Sequence, residues 1–268
     1  MKTNEISKKI KQYPILSFFI LTYFITWSFW APQLFIKKEF FALRVLGTFG
    51  PFISAIYISN IIGKRENIKN LLKPLLFWKF NIVWYIFCLF STAIICFAAI
   101  GISFSLGTNH FEFNELSKVY LVIPIFMYVL IFSVLGEEIG WRGFALKHLQ
   151  TKLSALSASI IIGIIWGFWH LPLFFIAGNF HQTIPISLFI LQEICLSIVL
   201  TWIYNNTNKS LISVHIFHAA SNTTLGVLPI LPIDTQKDLQ PLYIAISLLL
   251  IFSICIILSK TLSGKKVV

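Results

Sequence analysis

Long apolar segments are the feature that most constrains what this chain can fold into. Apolar residues occupy 57% of the 268 positions and only 12% are charged, whereas a soluble domain is typically less than half apolar and about a quarter charged. The apolar residues are arranged in blocks about 20 residues long, which is the length a helix needs to cross the hydrocarbon core of a bilayer. The sequence therefore predicts an all-α, polytopic membrane helical bundle.

Eight such blocks are candidate transmembrane helices. They lie at roughly 13–36, 42–63, 80–106, 118–138, 154–177, 183–205, 210–231 and 241–259. The second block contains Gly47, Gly50 and Pro51, a composition that predicts a bend. The segment WRGFALKHLQTK after the fourth block is interpreted as a short interfacial helix. Since no composition break divides the chain, we expect a single integral-membrane domain over residues 1–268.

Basic residues predict the orientation of the bundle. Of the 21 Lys and Arg residues, 16 fall in the two termini and the even-numbered loops, and 5 fall in the odd-numbered loops. Positive charge is retained on the cytoplasmic side of a membrane, so we expect a multi-pass protein of the cell membrane with both termini cytoplasmic. The same distribution explains the net charge of +11, and it argues against nucleic acid as a partner.

Ionisable residues inside apolar segments cost roughly 2.5–3.5 kcal/mol each on the insertion scale, and they usually face the interior of a bundle. Here they form three patches, GEEIGWRG at 136–143, GIIWGFWHLP at 163–172 and VHIFHAASN at 214–222. Each patch taken alone is typical of structural contacts between helices. Taken together, the three supply different components of one hydrolytic site.

The first patch assigns different tasks to two adjacent glutamates. Neighbouring helical residues point about 100° apart, so Glu137 and Glu138 cannot face the same point. Glu138 and Arg142 are four residues apart and share a face, which predicts an ion pair. Glu137 is then free to act as a general base on a water molecule. Gly136, Gly140 and Gly143 would allow other helices to approach this segment closely.

The other two patches carry histidines at helical spacing. Trp166 and His170 are four residues apart and share a face, and Pro172 predicts a kink or helix end directly after them. His218 and Asn222 also share a face, and such a pair can polarise a scissile carbonyl and stabilise the developing oxyanion.

Two further polar residues lie near or between these patches, and the role of the first, His215, is left open by the sequence. His215 lies one turn before His218, and Glu193 is isolated in the apolar stretch FILQEICLS. We interpret Glu193 as an interior carboxylate with satisfied hydrogen bonds.

The three patches resemble the motifs of a known protein family. EEIGWR matches the E-E-x-x-x-R motif of the CAAX-protease and bacteriocin-processing family (CPBP, also called Abi) of intramembrane peptidases. WGFWH resembles its F-x-x-x-H motif with Trp166 in place of Phe, and HAASN resembles its H-x-x-x-N motif. The three motifs occur in the family's order within residues 130–225, each in an apolar segment.

The resemblance implies an activity and a set of roles. The family includes type II CAAX prenyl endopeptidases, which remove three residues after a prenylated cysteine, and bacterial members linked to bacteriocin self-immunity. By motif position, Glu137 would activate water with help from His170, and His218 with Asn222 would form the oxyanion side. The residues that would hold this site together are Glu138, Arg142 and Trp166. The lipid bilayer and a hydrophobic or prenylated peptide substrate are the expected partners.

Metal use is left open by the sequence. Glu137, His170 and His218 are plausible zinc ligands by residue type. The chain lacks H-E-x-x-H, so it does not resemble a zincin, and it lacks the G-x-S-x-G elbow of serine hydrolases.

Two alternatives to a peptidase are also open. A non-catalytic immunity or scaffold protein would use the same polar residues as a structural network. A proton-coupled transporter would use Glu137, Glu193 and the histidines as a relay, although no paired half-helix symmetry favours it.

Overall fold

The computed structural model describes residues 2–36, 38–107 and 120–264. Helices account for the regular structure of these ranges, and no strand occurs within them. The main helices are α1 (Lys2–Gln12), α2 (Pro14–Trp30), α3 (Pro32–Ile36), α4 (Phe41–Thr48), α5 (Gly50–Leu72), α6 (Ile82–Ser105), α7 (Val122–Leu149), α8 (Ala155–Trp169), α9 (Ile186–Asn206), α10 (Leu211–Val227) and α11 (Gln240–Leu258).

Seven helical segments in the described ranges are long and apolar enough to cross a membrane. This confirms the predicted polytopic helical bundle. The predicted segment 210–231 is the exception, because α10 has only 17 residues. At 1.5 Å per residue it is about 26 Å long, and it carries the polar residues of the third patch into the bundle. The first two residues of the predicted segment 118–138 lie outside the described residues.

The segment predicted as an interfacial helix continues α7 instead, so that interpretation was wrong. Its aromatic residues are buried rather than spread on a membrane surface, and the Trp141 ring lies edge-on to that of Phe18 in α2, 5.6 Å between centroids. Two wide π-helical segments, Leu130–Val134 and Ile139–Leu146, flank the two glutamates of the first patch. Such π-helical turns are frequent at functional sites.

The bend predicted in the second block is present. Helix α4 ends at Thr48 and α5 begins at Gly50, with Pro51 in the first turn of α5, where its missing N–H breaks no helical hydrogen bond. A second irregularity lies within α5 at Gly63 and Lys64, and Lys64 has a positive φ of 53°.

Glycines bring the helices that carry the motifs into close contact. A Cβ on Gly136 would lie 2.5 Å from the Thr48 carbonyl oxygen, and one on Gly140 would lie 2.5 Å from the Cβ of Pro51. A Cβ on Gly163 in α8 would lie 2.5 Å from the Cα of Ile194 in α9. Real side chains do not tolerate such distances, so these positions allow backbone-to-backbone approach between helices. The close approach predicted for Gly136 and Gly140 is therefore confirmed.

Candidate active site

Glu138 is the centre of a buried polar network. Its Oε1 accepts a hydrogen bond from Arg142 Nη1 at 2.8 Å, and His218 Nδ1 lies 2.8 Å from the same oxygen. Glu138 and Arg142 have no exposed side-chain surface. The Arg142 guanidinium also lies over the Trp166 ring, 4.6 Å from its centroid, a favourable cation–π arrangement. The predicted Glu138–Arg142 ion pair is thus present within α7, and the contact of His218 with Glu138 links it to α10.

Glu137 points away from this network. Its Oε2 accepts a hydrogen bond from Trp166 Nε1 of α8 at 2.8 Å. The carboxylate is 97% buried within the protein, yet it lines a cavity that Glu138 does not reach. The two glutamates therefore have separate surroundings, as helical geometry predicts.

His170 occupies the end of α8. The helix stops at Trp169, and residues Leu171–Phe175 form a 3-10 helix in which Pro172 lies at the first turn. The predicted kink is confirmed at this point. His170 Nδ1 lies 2.9 Å from the Trp166 carbonyl oxygen. A carbonyl can only accept, so Nδ1 carries the hydrogen, and in the neutral ring Nε2 is left as an acceptor.

The two histidines of α10 differ in what they face. His218 packs edge-on to the Trp166 ring, 5.1 Å between centroids, and it lines the cavity together with Asn222 one turn later. His215 is also buried, but its Nδ1 bonds the Leu211 carbonyl at 2.5 Å, and it is not part of the cavity wall. The extra histidine of the third patch therefore lies behind the wall.

The cavity has a volume of about 380 Å³. It brings together, from three helices, the residues Glu137, Trp166, His170, His218 and Asn222. Glu138 and Arg142 lie behind this wall. The residues singled out in the sequence thus separate into a wall that faces open space and a network that supports it.

The cavity wall also contains residues outside the three motifs. Glu193 lines the cavity, is 4% exposed, and its Oε2 has no hydrogen-bond partner among the described residues. Glu193 is thus an interior carboxylate, as predicted, but its Oε2 is not bonded to another described residue. The reason is that α9 presents this residue to the cavity rather than to a polar neighbour, which no local spacing reveals.

His181 was not identified from the sequence at all. Its ring stacks on that of His170, 5.7 Å between centroids, and its Nδ1 bonds Asn179 Oδ1 at 2.7 Å. Burial lowers the pKa of His181 well below its ordinary value, with further contributions from His170 and Arg44, so the ring is neutral. His181 belongs to the segment between α8 and α9 and has no motif spacing, so only the tertiary structure identifies it.

Metal binding receives no geometric support from these side chains. Within the described part of the chain, no group of three or more His, Cys, Asp or Glu residues is arranged to hold a metal ion. Glu137 bonds an indole, and His218 uses Nδ1 for Glu138. Their arrangement does not form a ligand set, and metal use, which the sequence leaves open, is untested.

Two comparisons with known proteins agree with the motifs. Residues 119–224 match the family described as Type II CAAX prenyl endopeptidase Rce1-like. The chain is also similar to the protein named CAAX prenyl protease 2 of Methanococcus maripaludis, with 28% identity over 233 residues. That alignment covers 80% of this chain and 84% of the relative. The family resemblance predicted from the three motifs is thereby confirmed.

Proposed function

We propose that this multi-pass membrane protein, which groups with the type II CAAX endopeptidases of the CPBP family, is an intramembrane endopeptidase. The observation that carries the proposal is the cavity wall, where the Glu137 carboxylate, the imidazoles of His170 and His218 and the Asn222 amide face the same space. These are the groups that hydrolysis of a peptide bond needs for activation of water and for stabilisation of an oxyanion.

Glu137 is the proposed general base. The Trp166 indole holds Oε2, so the carboxylate is oriented and Oε1 is the oxygen that would take a proton from water. His170 Nε2 would accept the second hydrogen of that water, because Nδ1 is already committed to the Trp166 carbonyl. The water would then be positioned by two acceptors with its lone pair directed toward the substrate.

His218 and Asn222 are the proposed oxyanion donors. The Glu138 carboxylate at His218 Nδ1 would balance the charge of a doubly protonated ring, whose Nε2–H would point at the substrate oxygen. The Asn222 amide would supply a second N–H. This arrangement resembles the way in which a buried aspartate orients the histidine of a serine protease.

The proposed hydrolysis needs no reagent other than water and the peptide. The water oxygen forms a bond to the carbonyl carbon while Glu137 takes the proton. The C–N bond then breaks, and the proton held by Glu137 passes to the departing amine. The products are a new carboxylic acid and a new amine, and the proton of the acid passes to the amine to give a carboxylate and an ammonium group.

The substrate class follows only by analogy. The Methanococcus maripaludis relative is named a prenyl protease, so a prenylated peptide is one class to test, and an unmodified hydrophobic peptide is the other. Both are compatible with a cavity of about 380 Å³ whose wall includes apolar residues such as Leu173 and Leu225.

The test is peptide cleavage by purified protein in detergent, with farnesylated and unmodified hydrophobic peptides offered in parallel. The matched variants are Glu137→Gln, in the cavity wall, and Glu66→Gln, an exposed glutamate of α5. We expect wild type and Glu66→Gln to cleave at least one peptide, and Glu137→Gln to cleave it at a rate lower by about 10²–10⁴. Equal rates for wild type and Glu137→Gln would overturn the mechanism, and absence of cleavage by wild type would favour the non-catalytic immunity or scaffold function.

A further inference from the structure

Contacts between connecting segments define the two ends of the bundle. At one end, Ser210 Oγ donates to the Phe77 carbonyl at 2.5 Å, and Asn205 Nδ2 donates to the Leu262 carbonyl at 2.9 Å. The α5–α6 and α9–α10 connections and the segment after α11 therefore meet there, and we call this the basic end. At the opposite end, Asn179 of the α8–α9 connection donates to Glu39 before α4 at 3.3 Å, and we call this the cavity end.

The ends differ sharply in positive charge. Sixteen of the 21 Lys and Arg residues belong by sequence to the basic end, and of these Arg142 is buried in the polar network and does not face solvent. Lysines such as Lys69, Lys147 and Lys209 are exposed there. By sequence, five basic residues belong to the cavity end, and one of them, Arg44, is paired with Glu39 at 2.8 Å.

The cavity reaches the surface at the end that is poor in positive charge. Its outer wall comes from the segments of that end, including Arg44 on α4, His181 between α8 and α9, and Ile233 between α10 and α11. Ile233 is 56% exposed, so the cavity is open beside it. Glu137 and His218 form the inner wall, and no connection of the basic end contributes to the lining among the described residues.

Positive charge is retained on the cytoplasmic side of a membrane, and the bias is read from short loops close to the helix ends. The basic end meets both conditions. We infer that the cavity opens on the side of the membrane opposite the cytoplasm, and that its substrate is a peptide segment presented on that outer side. This inference rests on the proposed function and narrows it, because a prenylated cytoplasmic C-terminus would lie at the wrong end of the bundle.

The position of the cavity also indicates on which side of the membrane the cleaved peptide bond of the substrate lies. Glu137 lies in the interior of α7 and Trp166 in the last turn of α8, and the cavity connects them to the outer surface. A peptide bond must reach them from the outer side, either in an exported peptide or in the outer portion of a membrane-anchored chain. Both sources share one chemistry, an extended segment held at the outer interface.

Cysteine accessibility tests the orientation without relying on activity. The background is Cys255→Ser, because Cys88, Cys96 and Cys195 are buried and Cys255 is exposed. Single cysteines are placed at exposed positions of the cavity end (Gln182→Cys, Ile233→Cys) and of the basic end (Asn70→Cys, Thr151→Cys). None of these changes alters a charge, so none disturbs the topology signal itself.

Bacterial cells that express each variant are treated with a membrane-impermeant maleimide before and after permeabilisation. We expect Gln182→Cys and Ile233→Cys to be labelled in intact cells, and Asn70→Cys and Thr151→Cys to be labelled only after permeabilisation. The reverse pattern, or labelling of both ends in intact cells, overturns the inference. The detergent cleavage assay does not depend on orientation, so the endopeptidase proposal stands or fails separately from this result.

A second arm uses the peptide that wild-type protein cleaves best in detergent. Added outside intact cells, this peptide should be cleaved by cells with wild-type protein and not by cells with Glu137→Gln. Cleavage only after permeabilisation would place the site on the cytoplasmic side and overturn the inference.

Discussion

Two neighbouring regions of this molecule contain similar chemical groups in opposite situations. The network of Glu138, Arg142 and His218 joins two helices through charged hydrogen bonds. The cavity wall includes the preceding residue, Glu137. Its polar side chains face open space. The Glu138 carboxylate bonds protein groups through Oε1 and does not reach the cavity, whereas the Glu137 carboxylate lines the cavity, where a substrate can contact it.

The comparison teaches how a site of this kind is held in a bilayer. A buried charge is expensive unless it is paired, and the network provides a cation for Glu138 within the bundle. Glu137 receives one neutral donor, Trp166, which orients the carboxylate but leaves its charge available. Stability and activity should therefore depend on adjacent residues in different ways.

The largest effect expected is on activity, from Glu137→Gln. The amide keeps the shape of the side chain but cannot take a proton from water, so we expect loss of the general-base contribution, about 10²–10⁴ in rate. Thermal unfolding in detergent should stay near that of wild type. A melting temperature that falls as far as that of a network variant would show that Glu137 also supports the fold.

The next effect is on stability, from Arg142→Met. It removes the cation from Glu138, which is fully buried, and breaking one side of a buried pair costs about 3–5 kcal/mol. The measurement is the denaturation midpoint of the purified protein, with Lys147→Met, exposed on the same helix, as the matched control. Equal stability of the two variants would mean that the network is dispensable.

Asn222→Ala should reduce activity more than stability. Loss of one oxyanion donor lowers the rate by about 10²–10³, and Asn222 is only partly buried. The readout is the cleavage rate against the melting temperature, compared with Thr224→Ala on the same helix, which does not line the cavity. If Thr224→Ala loses as much activity, the assignment of Asn222 to the cavity wall has no functional meaning.

The smallest effect is expected from Trp166→Phe. This change removes the N–H that bonds Glu137 Oε2 at 2.8 Å, and a hydrogen bond to a charged group contributes about 1.5–3 kcal/mol. The family motif often has Phe here, so we expect the lower end of that range, about a tenfold loss of rate. Trp169→Phe, in the same helix and outside the cavity wall, is the control, and a loss as large as that of Glu137→Gln would contradict an orienting role.

Local spacing was sufficient where interacting groups lie on one helix. The Glu138–Arg142 pair is four residues apart, and helical geometry fixes that distance without reference to the rest of the fold. The helix end at His170 was likewise predictable, because proline acts on its own helix. The interfacial-helix interpretation of 141–152 failed, because charged residues near a helix end resemble an interfacial segment until the aromatic residues between them are seen to be buried.

The sequence by itself determined that this is a helical membrane protein, where seven of its eight predicted apolar segments lie, and which residues form the three motifs. Composition and periodicity are properties of the sequence itself, so they predict helices and membrane segments without a structure. The tertiary structure decided which side chains share a cavity: it separated His218 from His215, added Glu193 and His181, and opened the cavity at the end poor in positive charge. Those outcomes depend on how separate helices pack, and close approach at Gly136, Gly140 and Gly163 sets that packing.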